Sequence, residues 1–244
     1  MKLSVLGSSS SGNCYLLTTK SGQTLIIEAG ISIKEIKEAL NFDLSKVVGC
    51  IASHCHGDHF KYASEYMQSG IDVCASVETL DTIDYSHRMR VIQKQKKHNI
   101  GEFVVMAVEV KHDVHCFSFL IQHPESGLIL FATDTMYLPY KFPGLNNLIL
   151  ECNYSQEILD SRLSEGETID MVRNRVIGSH MSLETAKDFL RANDLTGVNN
   201  ICLIHLSSGN SDAALFKTEI ENLTAKSVFI ADKGMNIEFG KTPF

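Results

Sequence analysis

The sequence predicts an α/β protein in which two β-sheets pack face to face with helices on the outside. Three observations carry this expectation. Apolar runs of strand length recur from Leu3 to Phe239, first in succession and then alternating with helical patterns. Polar and metal-capable residues gather at the ends of these runs, where side chains on one rim of such a sandwich would converge. No linker rich in Pro, Gly or Ser divides the 244 residues, so residues 1–244 read as one domain.

Each element follows from local pattern. Residues 3–6 and 14–19 read as strands joined by Gly7-Ser8-Ser9-Ser10-Ser11-Gly12-Asn13. The N–H groups and hydroxyls of that loop either approach a phosphate or simply turn the chain. Residues 24–27 form a third strand, ending in Glu28-Ala29-Gly30. Ser32-Ile33-Lys34-Glu35 has the capping-box pattern, opening a helix with Ile33, Ile36 and Leu40 on one face. The apolar run 47–52 is a buried strand, followed by a histidine cluster and a helix through about Met67 that Gly70 ends. Residues 71–74 are a short strand, and Ser76 caps the helix after it. The basic stretch 86–98 (Arg88, Arg90, Lys94, Lys96, Lys97) reads as a solvated hairpin, with a phosphate-contacting edge as the alternative. Residues 103–110 and 116–122 are strands, separated by Lys111-His112-Asp113-Val114-His115. Residues 128–132 are a strongly apolar strand with Asp134 past its end, and 147–153 repeats that pattern. Residues 154–176 are polar and partly helical. Ser182 caps a helix carrying Leu183, Ala186, Phe189 and Leu190 on one face. The strand 200–204 leads to His205, Ser211 or Asp212 starts the last helix, and 227–231 and 236–239 are closing strands.

Composition excludes several classes. Hydrophobic content of 44% and charged content of 21% are those of ordinary globular proteins. No apolar run approaches the roughly 18 residues that span a bilayer. The segment 1–6 is too short for a signal peptide, so a cytoplasmic location is expected. The seven cysteines are odd in number and scattered, with no C-x-x-C pair, which argues against a disulfide framework. The net charge of −7 counts against tight nonspecific nucleic-acid binding but leaves room for a local basic groove.

The chemistry concentrates in Ser53-His54-Cys55-His56-Gly57-Asp58-His59. In an extended segment His54 and His56 point to the same side. Asp58 and His59 are adjacent and turn toward a second position as the chain enters the next helix. This spacing suits two metal ions about 3.5–4 Å apart better than one. A histidine-rich surface turn is the plain alternative, and three His with an Asp in this register count against it.

The string His54-Cys55-His56-Gly57-Asp58-His59 is an H-x-H-x-D-H signature. Followed in order by His112, Asp134 and His205, it resembles the metallo-β-lactamase superfamily. The opening Gly7-to-Asn13 loop, the segment Ser179-His180-Met181-Ser182-Leu183-Glu184-Thr185-Ala186 and the closing His205-Leu206-Ser207-Ser208-Gly209-Asn210 narrow the resemblance. They are similar to the YycJ/WalJ-type branch, which is related to ribonuclease Z and to PhnP-type phosphodiesterases.

The resemblance implies a four-layer αββα metallo-β-lactamase sandwich with two metal sites. His54, His56 and His112 would hold the first ion, Asp58, His59 and His205 the second, and Asp134 would bridge them. His115 and Asp113 compete with His112 for its role. Imidazole and carboxylate ligands fit Zn2+, with Mn2+ or Fe2+ as alternatives. Glu28 stands where the family has Asp and would support the ligands from behind. Asp58 would also orient the attacking water. His180 would serve the leaving group as a proton donor or charge partner, against a plain helix-entry role.

The activity implied is that of a dinuclear-metal phosphodiesterase, a 5′-to-3′ DNA exonuclease working through a metal-bound hydroxide. Arg173, Arg175, Lys96 and Lys97 are its candidate phosphate contacts. A phosphodiesterase of cyclic nucleotides or other small cyclic phosphates is the first alternative. A ribonuclease Z-like RNA nuclease is less expected, because the long inserted arm that grips tRNA is lacking. A thioesterase or lactonase and a non-catalytic metal-binding module complete the alternatives. The expected partners are DNA or a small phosphodiester, with no membrane contact and with a homodimer left open.

Overall fold

The computed structural model describes residues 1–242. The chain opens with β1 (Lys2–Ser9), β2 (Gly12–Thr18) and β3 (Thr24–Ile27), then α1 (Ile33–Ala39) and β4 (Val47–Ile51). Next come α2 (Gly57–Phe60), α3 (Ala63–Gln68), β5 (Val73–Ala75), α4 (Val77–Leu80) and β6 (Met89–Val91). The second half begins with β7 (Lys97–Ile100), β8 (Phe103–Val110), β9 (Cys116–His123), β10 (Gly127–Ala132) and β11 (Leu145–Glu151). It continues through α5 (Gln156–Ser164), α6 (Asp170–Ser179), α7 (Leu183–Ala192) and β12 (Asn200–Ile204). It closes with α8 (Ala213–Thr224), β13 (Ser227–Ile230) and β14 (Asn236–Glu238).

The strands form two seven-stranded sheets, ordered β14-β1-β2-β3-β4-β5-β6 and β13-β12-β11-β10-β9-β8-β7. Alternation sorts their side chains into layers. Leu25 and Ile27 of β3 meet Phe119, Phe131 and Ile149 of the other sheet in the central core. Ile26, between them, faces out with Cys14 and Val73 against Ile36, Tyr66 and Met67 of α1 and α3. On the far side Leu130, Leu148 and Leu203 pack under Leu183, Phe189 and Phe216 of α7 and α8. The result is the expected four-layer αββα sandwich.

Strand direction builds the rim. β3, β4, β5 and β6 run parallel, as do β10, β11, β12 and β13, and β8 shares the direction of β10 through the antiparallel β9. Their carboxyl ends therefore open at one edge of the sandwich, where Glu28, the histidine cluster, His112, Asp134, Glu151 and His205 follow.

Four local expectations need correction. The polar stretch 7–13 is mostly paired strand: Gly7, Ser8 and Ser9 face Cys14, Asn13 and Gly12 across a bulge, and only Ser10 and Ser11 turn. Pairing wins there because the Ser8 hydroxyl accepts from the Tyr15 hydroxyl and from the His205 N–H. The helix after the histidine cluster is broken between α2 and α3, where the Tyr62 N–H donates to the Ala29 carbonyl. The capping box does not close, since the Ser32 hydroxyl reaches Glu35 Oε1 at 3.4 Å and no backbone N–H. Residues 86–98 are not a hairpin: β6 pairs with β5 in the first sheet and β7 with β8 in the second, so the chain crosses between sheets. Ser76, Ser182 and Asp212 do cap α4, α7 and α8, each accepting a backbone N–H. Among the described residues no helix is long and apolar enough to cross a membrane.

Candidate metal centre

Strand ends bring the site together, and the backbone turns sharply to do it. Glu28, Asp134 and His205 have φ of 70°, 47° and 56°. Left-handed backbone at a non-glycine residue costs on the order of 1–3 kcal/mol and persists only where surrounding contacts hold it. Here the Glu28 N–H donates to the Ile51 carbonyl, and the Asn153 side chain donates to the His205 carbonyl at 2.7 Å.

The side chains form overlapping donor groups: beside the two expected ones, His54, His59 and Asp134 make a third and Asp134, Glu151, His180 and His205 a fourth. His54, His56 and His112 turn one ring nitrogen each toward a common point, as do Asp58, His59 and His205 their donor atoms. His112 Nε2 lies 3.2 Å from His56 Nδ1. Asp58 Oδ2 lies 3.2 Å from both His59 Nε2 and His205 Nε2. Donors bound about 2.0–2.1 Å from a tetrahedral ion sit about 3.3–3.4 Å apart, so these separations match a coordination shell. Asp134 Oδ2 is 2.6 Å from His59 Nε2 in one group and 3.8 Å from His54 Nε2 in the other.

Two further observations test the fit to cations. His112 Nδ1 donates to the Ser179 carbonyl at 2.9 Å, which leaves the lone pair of the neutral ring on Nε2, facing the group. His54 Nε2 is buried with no hydrogen-bond partner among the described residues, a costly state for a polar atom that a cation at the group would resolve. The donor set thus fits two divalent ions. Of the competitors for the His112 position, His115 turns away to Ser76 and Glu78. Asp113 sits at the half-exposed mouth, 3.0 Å from His112 Nε2.

Electrostatics sort the same residues. Burial, reinforced by His59, holds the His54 imidazole well below its usual range, and burial also lowers His112. Both are neutral and ready to ligate. In the metal-free protein burial works against protonation of His59 and His205 too, but carboxylates outweigh it. Asp134, Asp58 and Glu28 raise His59 well above its ordinary value. Asp134, Asp58 and Glu151 push His205 up to about 9. Burial would raise Asp58 and Asp134, yet the surrounding histidines hold both carboxyls far below the usual range. Protons therefore compete with metal in the second group.

Behind the ligands lie carboxylates and amides. Glu28, fully buried, accepts from the Ser53 N–H, and its Oε2 lies 3.5 Å from His59 Nδ1, which has no hydrogen-bond partner among the described residues. Glu151 was not anticipated. It is fully buried at the end of β11, accepts from the N–H groups of Thr135 and Met181, and lies 2.7 Å from His180 Nδ1. Its signal was an acid closing the apolar run 148–150, the pattern that marked Asp134. Asn13 was missed as well: its Nδ2 lies 3.1 Å from His59 Nε2 and 3.3 Å from Asp58 Oδ2.

A cavity of about 340 Å3 opens over the cluster, lined by Ser10, Asp58, His112, Arg175, His180 and His205 among others. His180 stacks on His205 with ring centroids 5.4 Å apart and places Nδ1 3.0 Å from Asp134 Oδ1. Burial lowers its pKa, but Glu151 and Asp134 overcome this and push it up to about 10. Of the four candidate phosphate contacts, only Arg175 lines this cavity. Arg173 is bound to Asp160 at 2.7 Å, and Lys96 and Lys97 lie where the chain crosses between the sheets.

Residues 9–73, which hold the histidine cluster, match the family model of the metallo-β-lactamase superfamily. That match spans the first candidate metal ligands and about a quarter of the chain. The whole chain is similar to the exodeoxyribonuclease WalJ of Streptococcus pneumoniae, with 25% identity over 98% of this chain and 92% of the relative. Its fold is shared by the metallo-β-lactamase fold protein YhfI from Bacillus subtilis, with a TM-score of 0.73, 18% identity and coverage of 97% and 98% of the two chains. It is shared too by a diphosphatase of the PhnP family, with a TM-score of 0.66, 14% identity and coverage of 98% and 97%.

Proposed function

We propose that this metal-dependent hydrolase is a phosphodiesterase acting on nucleic acid, a 5′-to-3′ DNA exonuclease. The observation that carries this reading is His180, a buried-side imidazole anchored to Glu151 and facing the cavity above the metal ligands. A carboxylic-ester hydrolase with the same ligands would have no need of it. Similarity to an exodeoxyribonuclease along nearly the whole chain favours DNA among phosphodiesters. Seven free cysteines suit a reducing compartment, and we place the protein in the cytoplasm.

The residues divide the work. His54, His56 and His112 would hold one ion, Asp58, His59 and His205 the other, and Asp134 both. An imidazole-rich donor set suits zinc. Divalent ions held there would acidify water toward a pKa of about 7 and offset phosphate charge. Asp58, at the mouth of the cavity, orients the attacking water. His180 Nδ1 donates to Glu151, and its Nε2, without a partner among the described residues, faces the leaving oxygen. With Asp134 engaged by cations, one of the two carboxylates that raise His180 in the metal-free protein would be removed, and the His180 pKa would shift down toward the range in which imidazole donates a proton efficiently.

The test is a substrate panel for the metal-loaded protein: duplex and single-stranded DNA, RNA, cyclic nucleotides and a lactone, with DNA labelled at either end. We expect DNA to shorten from its 5′ end. His180→Ala should lower phosphodiester turnover by roughly 10²–10⁴-fold with both metals retained. Cleavage of the lactone alone would sink the phosphodiesterase reading. A second reading, hydrolysis of a small cyclic phosphodiester, is favoured by the modest cavity and the net charge of −7, and preferential turnover of cyclic nucleotides would establish it.

A further inference from the structure

We propose that Arg175 binds the phosphate next to the one that reacts, so that the site selects strand ends bearing two phosphates over diesters bearing one. The proposal rests on the phosphodiesterase reading and deepens it. Five of the six arginines have side-chain partners: Arg88 and Arg90 hold Asp72, Arg162 holds Glu167, Arg173 holds Asp160 and Arg191 holds Asp188. The sixth, Arg175, has none among the described residues, and it is the arginine that lines the metal cavity. Asp58, Asp113 and Asp134 line the same cavity, yet none forms an ion pair with it.

The helix that carries Arg175 is tied to the centre. Ser179, one turn on, gives its carbonyl to His112 Nδ1, and the Ser179 hydroxyl donates to the Arg175 carbonyl at 2.6 Å. Arg175 and Ser179, four residues apart, share the helix face that lines the cavity. The last turn of α6 thus holds Arg175 in register with the ligand His112 and with His180.

Charge decides which phosphate it serves. Two divalent ions would carry four positive charges, matched by the four negative ones of Asp58, Asp134, the attacking hydroxide and the phosphodiester. The reacting phosphate does not require a further cation. Arg175 stands one helical turn, about 5.4 Å along the axis, before Ser179, and its guanidinium on the cavity lining is available to the next anion on the strand. Its planar donor fork matches phosphate oxygens. That anion is a 5′-terminal phosphate or an internal one, and Ser10, which lines the same cavity, offers a hydroxyl to either.

Steady-state kinetics on dithymidylate with and without a 5′-phosphate, and on a trithymidylate with a 5′-hydroxyl, tests the proposal in metal-loaded wild type, Arg175→Ala and Arg175→Lys. We expect Arg175→Ala to raise KM for one of the two-phosphate substrates by roughly tenfold more than for the single-phosphate dinucleotide, with kcat changing less. Arg175→Lys should restore part of the loss. A larger effect on the 5′-phosphorylated dinucleotide assigns the terminal phosphate, and one on the trinucleotide the internal phosphate. Equal KM changes on all three, or none, would overturn the proposal. Calorimetric binding of the same oligonucleotides separates this from failure of the functional reading. If wild type binds but cleaves nothing, a selective loss in Arg175→Ala still supports Arg175 as a phosphate anchor, and equal binding overturns it. Arg175 is exposed and unpartnered, so melting temperature and metal content verify that the variants fold.

Discussion

His54, His59, Asp134 and His205 are each 4% exposed or less, while a short distance away Ile169, Met171 and Val172 on the α5–α6 segment are 60%, 78% and 42% exposed. The rim residues are each gripped from several sides: Asp134 touches His59 and His180, and His59 is approached by Asn13, Asp58 and Glu28. The α5–α6 segment owns only a small core of Tyr154, Leu159 and Val176. It is anchored mainly near its ends, by Ser155 on Asn210 and by Ser179 on His112. The contrast separates two tasks. Metal chemistry needs donors fixed within tenths of an ångström, which crossing strand ends supply. On the reading proposed above, substrate choice would rest on His180 and Arg175, carried by a segment with little buried surface to hold it.

Perturbing the rim should therefore cost far more than perturbing the segment. Asp134→Ala removes the one donor shared by both groups; metal content measured by elemental analysis should fall below two ions, and hydrolysis should drop on the order of 10³-fold or more. Full metal content would contradict the shared role. Glu151→Gln keeps the ligands but loosens the His180 proton, so we expect turnover to fall roughly 10–100-fold. The high-pH limb of the rate profile should also move to lower pH, because a carboxylate that raises His180 is gone. An unmoved limb would detach His180 from proton transfer.

Packing behind the rim is the next test. A Cβ at Gly30 would fall on the Asp58 carbonyl oxygen, so Gly30→Ala should destabilise by about 1–3 kcal/mol in denaturant titrations. The sign of the pH dependence follows from the raised histidines. His205 and His180 stand at about 9 and about 10 in the metal-free fold against about 6.5 unfolded. Their contribution to stability is full below about 6.5 and is lost as pH rises through 9 and 10. Metal-free protein should thus melt at progressively lower temperature across that interval, and metal-loaded protein should resist the change; a rising melting temperature would reverse the assignment. Smallest of all, Met171→Asp on the segment should shift stability by within about 0.5 kcal/mol.

What could be read in advance follows the same division. His54, His56, Asp58 and His59 fall within six residues, so spacing alone marked them, whereas His112, Asp134 and His205 were singled out by the family resemblance together with their places after strands. Glu151 obeys the same rule, but an acid closing a buried strand carries no local mark of its partner, and His180 lies 29 residues further on. Residues 86–98 misled because a basic polar stretch looks alike as a hairpin or as two edge strands; which sheet each edge joins is a long-range choice. Lys96 and Lys97 fell out of the site by that choice, and Arg173 by its pairing with Asp160. The amino-acid sequence by itself determined the layered α/β architecture and the histidine cluster, because periodicity and spacing are local properties, and the motif order that carries the resemblance added His112, Asp134 and His205. Only the tertiary structure decided that Glu151 holds His180 and that Arg175 alone among the arginines faces the metal cavity unpaired. Burial and charge pairing depend on which distant strands and helices come together.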